Sequence, residues 1–249
     1  MIDTFKKLKN ISLQFGLLVN ENKTKYMKCT RKETQLNKLI VDNKHIDQLR
    51  SFSYLGTIVN GNNTLEEEIR ERIAKGNKAF YANKVLFKSN LVSRKSKLKL
   101  YRSVIRPIVI YGCETWVLKE NVIRKLSVTE SKILREIFGQ TKEANGIWRI
   151  ETNRELDELI KHRNAINYVK AQTLSWFGHI SRMLETSIVK RIHKWQPFTG
   201  RPVGRPKSQW GDDIRNDPKK MKFKRWAEQV QDRLKWKDIV EKAKTLSEL

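Results

Sequence analysis

The sequence contains few of the residues that build disulfide frameworks and zinc sites. Its only cysteines, Cys29 and Cys113, lie far apart among 249 residues. We interpret them as reduced intracellular thiols, because two isolated cysteines give no disulfide framework. The four histidines are scattered without the paired spacing of zinc ligands, so no metal site is expected.

Long hydrophobic runs are also absent from the sequence. No stretch approaches the roughly 20 apolar residues that a membrane-spanning helix requires. The segment 1–7 lacks the apolar core of a signal peptide. We therefore expect no membrane partner and an intracellular location.

Acidic residues are scarce relative to basic ones. The chain has 52 Lys and Arg against 27 Asp and Glu, which gives a formal net charge of +25. Self-repulsion of this size opposes compaction, and a polyanionic partner offsets it. The basic residues are spread along the whole chain and are not confined to one face of an amphipathic helix. Nucleic acid is therefore favoured over a membrane surface as the partner.

Residue periodicity predicts an α+β fold that is mostly α. Apolar spacing predicts a helix over 2–15 that ends at Gly16, and a hairpin turns around Asp42 and Asn43. The predicted strands span 17–19, 25–27 and 51–59. From Asn63 onward the period is helical, and the predicted helices begin near 64, after Ser93, near 121 (ending at Phe138) and at Asn153.

Two motifs in the first part of the chain follow each other in a specific order. Residues 16–27 read Gly-Leu-x-x-Asn-x-x-Lys-Thr-Lys-x-Met, and residues 52–56 read Phe-Ser-Tyr-Leu-Gly. The first motif places Lys23 in a tight connection at a sheet edge, where a lysine can meet a phosphate as a mobile point charge. Either motif alone is more simply a solvated loop or a core strand. The two together favour a functional interpretation.

This pair of motifs resembles the last two motifs of the reverse transcriptase palm in non-LTR (LINE-type) retrotransposons. The resemblance implies that Lys23 lies near the phosphates of an incoming nucleotide, and Lys25 of the same motif is a further candidate contact. It also implies that Tyr54 and Gly56 belong to the primer grip, the hairpin that holds the primer's 3′ end. Residues 1–62 are therefore expected to be a palm-like α/β remnant.

The helical region 63–140 resembles the thumb of the same family. The matching stretches are Gly-Asn-Lys-Ala-Phe at 76–80, and 100–107 continuing through 111–116. A thumb holds the template–primer backbone, so the resemblance implies a phosphate contact from Lys78. The basic cluster at 93–97 adds Arg94, Lys95 and Lys97, for which a solvated helix start is the alternative interpretation.

The remaining region, 141–249, resembles the basic helical C-terminal extension of LINE elements that carry an apurinic-type endonuclease upstream. The matching stretches span 174–183 and 200–214. The adjacent Asp212 and Asp213 are interpreted as helix-terminal residues and not as nuclease ligands.

An extended arm at 196–211 interrupts this extension. It holds three prolines and three glycines and contains Gly-Arg-Pro twice. The arm also resembles an AT-hook, which implies nucleic-acid contacts from Arg201, Arg205 and Lys207. A stiff basic linker between helical parts is the alternative.

The family's polymerase reaction depends on aspartates that hold Mg²⁺ in two-metal phosphoryl transfer. In the family they precede the helix corresponding to 2–15, and here the sequence before the first motif contains only one aspartate, Asp3. We therefore predict no catalytic residue, no metal-binding residue and no cofactor in this chain, with Mg²⁺ expected only for an intact parent enzyme.

The resemblance as a whole predicts a fragment of a retrotransposon RNA-directed DNA polymerase. Its expected partners are an RNA template, a DNA primer or target, and the upstream part of the polyprotein, and its expected location is nuclear. Three alternatives stay open: a host-retained DNA- or RNA-binding protein, a subunit that completes a separately encoded polymerase, and a pseudogene product without a stable fold.

Overall fold

The computed structural model describes residues 1–20, 22–29, 35–144, 146–195, 210–221, 223 and 225–246. The chain divides into two compact units, 1–68 and 69–249. The described residues are mostly helical with a few short strands, which agrees with the predicted α+β, mostly α class. The three regions that the motifs suggest, 1–62, 63–140 and 141–249, remain a prediction. No helix in the described part is long and apolar enough to cross a membrane.

The first unit begins with helix α1 (Ile2–Gln14), which follows the predicted helical period. The chain leaves the helix through Gly16 at φ 71°, a left-handed conformation that glycine adopts at low cost because it has no Cβ. Lys6 Nζ lies 3.1 Å from Asp42 Oδ1, and this ion pair connects α1 to the turn of the next hairpin.

Short strands form the rest of the first unit. They are β1 (Tyr26–Met27), β2 (Leu39–Val41), β3 (Lys44–Ile46), β4 (Gln48–Leu49), β5 (Ser51–Tyr54) and β6 (Thr57–Asn60). β1 pairs with β4 in parallel, whereas β2–β3 and β5–β6 are antiparallel hairpins. Asp42 and Asn43, at φ 49° and 63°, form the β2–β3 turn, so the predicted turn is confirmed.

Two of the predicted strands are wrong. Residues 17–19, all of which the structure describes, lie in neither helix nor strand. The predicted strand 51–59 is instead a hairpin, because Leu55 at φ 48° and Gly56 at φ 83° reverse the chain in a two-residue turn. Leucine is an unusual residue for such a turn, which is why the sequence does not reveal it.

The helices between 66 and 138 follow closely on one another. They are α2 (Glu66–Ala82), α3 (Lys84–Lys88), α4 (Arg94–Leu100), a π-helical turn (Tyr101–Ile105), α5 (Arg106–Val109), a 3₁₀ turn (Cys113–Thr115) and α6 (Glu120–Phe138). Pro107 has no N–H to donate four residues back, and the helix changes its hydrogen-bonding period just before it. Gly139 follows α6 at φ 74°, so the predicted helix that ends at Phe138 is confirmed.

A hairpin and six further helices complete the described part of the second unit. They are β7 (Gln140–Lys142), β8 (Trp148–Ile150), α7 (Asn153–Leu159), α8 (Ala165–Ser181), α9 (Ile188–Lys194), α10 (Trp210–Lys220), α11 (Trp226–Gln229) and α12 (Arg233–Ala243). The helix predicted to begin at Asn153 is confirmed. Thr152 and Glu155 form a capping box there, in which each side chain accepts a hydrogen bond from the other residue's backbone N–H.

One hydrophobic core cluster joins α8 to the last helix. Its buried members are Ala171, Leu174, Val230, Trp236, Ile239, Val240 and Ala243. Trp236 is only 2% exposed and donates its indole N–H to the carbonyl oxygen of Leu174 at 2.8 Å. Because a buried indole combines a large apolar area with a satisfied donor, this contact anchors α12 in the core of the second unit.

Candidate nucleic-acid interface

A basic groove of about 700 Å³ lies in the second unit between α3, α4, the end of α6 and the start of β7. Among the described residues that line it are five cations and one carboxylate, Glu136. The cations are Lys88, Arg94, Lys97, Lys132 and Arg135. A concave site with this charge balance attracts anions, and its low-dielectric walls concentrate the field.

The helix starts determine which basic residues face the groove. Ser93 Oγ accepts a hydrogen bond from the Ser96 N–H at 3.2 Å and so begins α4 immediately before Arg94. Residues three apart on a helix share a face, which brings Arg94 and Lys97 to the groove together. Lys132 and Arg135 have the same spacing on α6, and they too line the groove.

Lys97 is the most enclosed of the five cations, with only 8% of its surface exposed. Within the described residues, no group accepts a hydrogen bond from its Nζ and no carboxylate pairs with it. Lysine commonly buries its apolar stem and keeps its ammonium accessible, and the Nζ of Lys97 is not fully enclosed. Because Lys97 lines the groove, an anion bound there can pair with its ammonium.

Hydrogen bonds to uncharged acceptors hold the guanidinium of Arg135 in place. Its Nε donates to the backbone carbonyl of Glu151 at 3.3 Å, and a terminal nitrogen donates to Asn153 Oδ1 at 2.6 Å. Both acceptors are uncharged. The guanidinium therefore keeps a full positive charge while its position is fixed, which suits a phosphate contact.

The hairpin β7–β8 closes one end of the groove and is held by an ionic cluster. Arg149 lies 2.7 Å from Glu143 and 3.5 Å from Glu151, and it donates two hydrogen bonds to Glu155 at 2.5 and 2.8 Å. The hydrogen bond from Arg149 and those from Thr152 hold the pKa of Glu155 well below its usual range. Three carboxylates surround one guanidinium in this cluster, so it stabilises the hairpin and offers no free cation to a ligand.

The structure brings two of the predicted contact residues, Arg94 and Lys97, into the groove. Lys95 and Lys78 are exposed on α4 and α2 but do not line it. Lys88, Lys132 and Arg135 line the groove but were not predicted as contacts. The spacing of Lys132 and Arg135 on the predicted helix 121–138 is a signal that could have indicated them. Nothing in the sequence around Lys88 indicates that this residue lines the groove.

The predicted contacts of the first unit lie on exposed turns. The backbone N–H of Lys23 donates to Asn20 Oδ1 at 3.1 Å, which fixes the turn and leaves the lysine side chain exposed. Lys25 Nζ lies 2.6 Å from Asp47 Oδ2, and its hydrogen bond lowers the pKa of Asp47. The positive charge of Lys25 is therefore partly compensated by Asp47. The side chain of Lys23 is the more available of the two for a phosphate contact.

The proposed primer-grip residues lie at the end of a hairpin. Tyr54 is 61% exposed at the end of β5, and Gly56 lies in the β5–β6 turn. An exposed aromatic ring and a glycine backbone are both able to approach a sugar–phosphate chain closely.

The Gly-Arg-Pro arm lies almost entirely outside the described residues. Arg201, Arg205 and Lys207 belong to that part. The arm's last two residues start α10, where the indole N–H of Trp210 donates to the Glu114 carbonyl at 2.7 Å.

The adjacent aspartates of α10 have structural partners. Asp213 Oδ2 accepts a hydrogen bond from the Leu118 N–H at 3.1 Å, and Asp212 Oδ1 lies 2.8 Å from an Arg215 nitrogen. In the residues that the structure describes, no group of three or more His, Cys, Asp and Glu side chains is placed to hold a metal ion. Both carboxylates lie in the first turn of α10, and that of Asp213 connects this helix to the Leu118 backbone.

The chain is similar over most of its length to a transposon-derived protein. It is 25% identical over 252 residues to an uncharacterized transposon-derived protein of Caenorhabditis elegans, a match that covers 94% of this chain and 86% of that protein. No protein-family model matches the chain. No solved structure matches it either. The similarity supports a transposable-element origin.

Proposed function

We propose that this chain derives from the C-terminal part of a non-LTR retrotransposon RNA-directed DNA polymerase, and that it binds template–primer or target nucleic acid without polymerising it. The observation that carries the proposal is the groove, where five cations surround a space lined by a single described carboxylate. A phosphate backbone has the complementary charge and offers several phosphates to one groove. Similarity to a transposon-derived protein over 94% of the chain supports the origin.

The groove favours contacts to phosphates over contacts to base edges. Its cations project from three helices, α3, α4 and α6, and charge-assisted contacts of this kind position a nucleic acid without reading its sequence. We therefore propose binding with little sequence preference. Five phosphate contacts give a salt dependence that lowers the affinity about 500-fold between about 50 and 200 mM monovalent salt.

A titration of the full chain with a labelled RNA–DNA heteroduplex and a labelled DNA duplex tests this proposal. The variant Lys88→Gln/Lys132→Gln removes two groove charges and is expected to weaken binding to both duplexes at least tenfold. The matched control, Lys219→Gln/Lys237→Gln, removes two exposed charges from α10 and α12 and is expected to change binding much less. An affinity that does not respond to salt, or an equal loss in both double variants, would contradict the proposal.

A second candidate role is that of a subunit that completes a separately encoded polymerase, and the surface of α1 favours it. None of the residues of α1, all described, is buried. Leu8 and Ile11, which are three apart and share one face of the helix, are each more than half exposed. Such an apolar face is typical of a surface that packs against another polypeptide. Primer extension by a palm-containing polypeptide in the presence and absence of this chain distinguishes a subunit from a remnant.

The proposed partners have consequences for where the chain acts. An RNA template and a DNA target bring it to the nucleus, and neither a membrane nor a cofactor of its own takes part. The same nuclear location holds if the chain is a host-retained DNA- or RNA-binding protein. A fluorescent fusion that stays outside the nucleus would argue against this part of the proposal.

A further inference from the structure

The β7–β8 hairpin exposes a tryptophan next to the basic groove. Trp148 is 61% exposed and Ile150 is 59% exposed. Side chains two apart on a strand point to the same face. The register pairs Trp148 with Lys142 and Ile150 with Gln140, so these four residues form one outward face. We call it the hairpin face.

The other face of the hairpin is fixed to the rest of the unit. Arg149, between Trp148 and Ile150, points into the carboxylate cluster and bonds to Glu143 and Glu155. Thr141 Oγ1 donates a hydrogen bond to a carboxylate oxygen of Glu151. The hairpin is therefore held in one orientation, and that orientation keeps Trp148 exposed. A large indole held in water by a fixed strand is costly, and it is typical of a binding surface.

The hairpin face continues the basic groove. Gln140 and Ile150 belong to the face and also line the groove with Arg94 and Lys97. Within the described residues, Lys142 beside Trp148 has no ion-pair partner. One surface thus runs from five groove cations to a further lysine and an exposed indole ring.

We propose that Trp148 stacks on an unpaired base of a single-stranded segment whose phosphates lie in the groove. The inference rests on the proposed nucleic-acid binding and adds the form of nucleic acid that this surface selects. The bases of a duplex already stack on each other, so an exposed indole contacts a base face only where the strand is unpaired. The preferred substrate is therefore a junction of duplex and single strand, with the unpaired strand crossing the hairpin face.

An acidic peptide is the competing occupant, because it also has complementary charge. Its carboxylates can pair with the groove cations, but they provide no planar face for the indole. The exposed indole of Trp148 therefore favours nucleic acid, whose bases can stack on it, over an acidic peptide.

The test compares three probes with the full chain: a blunt duplex, the same duplex with a single-stranded extension of about 10 nucleotides, and that single strand alone. The extended duplex is expected to bind more tightly than the blunt one. Trp148→Ala is expected to weaken binding to the extended duplex about tenfold and to the blunt duplex less than about twofold, whereas Trp148→Tyr keeps most of the preference. Circular dichroism checks that each variant is folded.

A crosslinking measurement keeps the test decisive if the alanine variant does not fold. A 5-iodouracil placed in the extension is expected to crosslink the wild-type chain at Trp148, and mass spectrometry identifies the site. Binding of all probes without a preference, with no crosslink at Trp148, overturns the hairpin inference but leaves the proposed nucleic-acid binding intact. Binding to none of the probes overturns both. Tighter, Trp148-dependent binding of a poly-glutamate peptide overturns the inference in favour of a protein partner.

Discussion

Tyr101 donates a 2.7 Å hydrogen bond to the buried carboxylate of Glu130, and the other oxygen of that carboxylate accepts the Ala165 backbone N–H at 2.7 Å. The carboxylate therefore joins the π-helical turn, α6 and the start of α8. Burial raises the pKa of Glu130, and burial together with the neighbouring carboxylate raises the pKa of Tyr101. Tyr101 is thus the donor over the whole physiological range.

Removal of the Tyr101 hydroxyl tests the importance of this network. Tyr101→Phe keeps the ring but leaves Glu130 with one fewer donor in the interior, so we expect a loss of about 1–3 kcal/mol in the free energy of unfolding. Urea unfolding followed by tryptophan fluorescence measures it. Tyr81→Phe, at a 63% exposed position on α2, is the matched control and should stay within about 0.5 kcal/mol of wild type. Equal stability of the two variants would show that the network contributes little.

Glycine substitutions in two helices should have opposite effects. A Cβ added at Gly178 would overlap the buried indole of Trp236, so Gly178→Ala should destabilise by about 1–3 kcal/mol, despite the better helix propensity of alanine. Among the described residues, the nearest atoms to a Cβ at Gly211 belong to the Arg215 guanidinium, at 3.6 Å or more, which is an ordinary contact. Gly211→Ala should therefore be neutral or stabilise by up to about 1 kcal/mol. Thermal unfolding of both variants checks the difference, and a stable Gly178→Ala protein would mean that Trp236 can move aside.

The elements with strong local signals were predictable from the sequence. The helix that ends at Phe138 has a long amphipathic period and a glycine just past its end, and α4 begins directly after its serine cap. In both cases the residues that decide the boundary lie within a few positions of it. Arg94 and Lys97 could be proposed as contacts because they belong to one such local cluster.

The elements that depend on distant contacts were not predictable. The hairpin β7–β8 has two three-residue strands, and its apolar residues Trp148 and Ile150 are exposed, so no buried face marks it in the sequence. Its stability comes from Arg149 and carboxylates on both sides of it. The groove likewise joins Lys88 to Lys132 and Arg135, which are brought together only by the packing of α3 against α6.

The Arg149–Glu155 pair predicts loss of hairpin stability in acid. The pKa of Glu155 is lower in the folded chain than in the unfolded one, so the unfolded state binds more protons in acid. The contribution is therefore fully present above the ordinary carboxyl pKa of about 4 to 5 and is lost progressively as the pH falls from there towards the much lower pKa of the folded chain. Glu155→Gln should show a smaller drop in melting temperature between about pH 7 and pH 2.5 than wild type. Glu158→Gln, which removes an exposed partner of Arg154 on the same helix, should keep the wild-type pH dependence.

Lys97, whose stem is buried and which lines the groove, provides the sharpest separation of binding from stability. Lys97→Met replaces it with an apolar side chain of similar length that the same cavity accommodates. Met keeps the packing of the buried stem, so the free energy of unfolding should stay within about 1 kcal/mol of wild type. The same change removes a phosphate contact, so nucleic-acid affinity at low salt should fall about tenfold and the salt slope should decrease by about one.

Lys95→Met is the matched control, because Lys95 is exposed on the same helix but does not line the groove. It should change both the affinity and the stability only slightly. A titration at several salt concentrations and a urea denaturation curve for each variant give the two quantities independently. If Lys97→Met destabilised the chain and left the salt slope unchanged, Lys97 would have a structural role, and the groove would not be the phosphate site. A stable variant with a reduced slope would instead identify Lys97 as a phosphate contact of the groove.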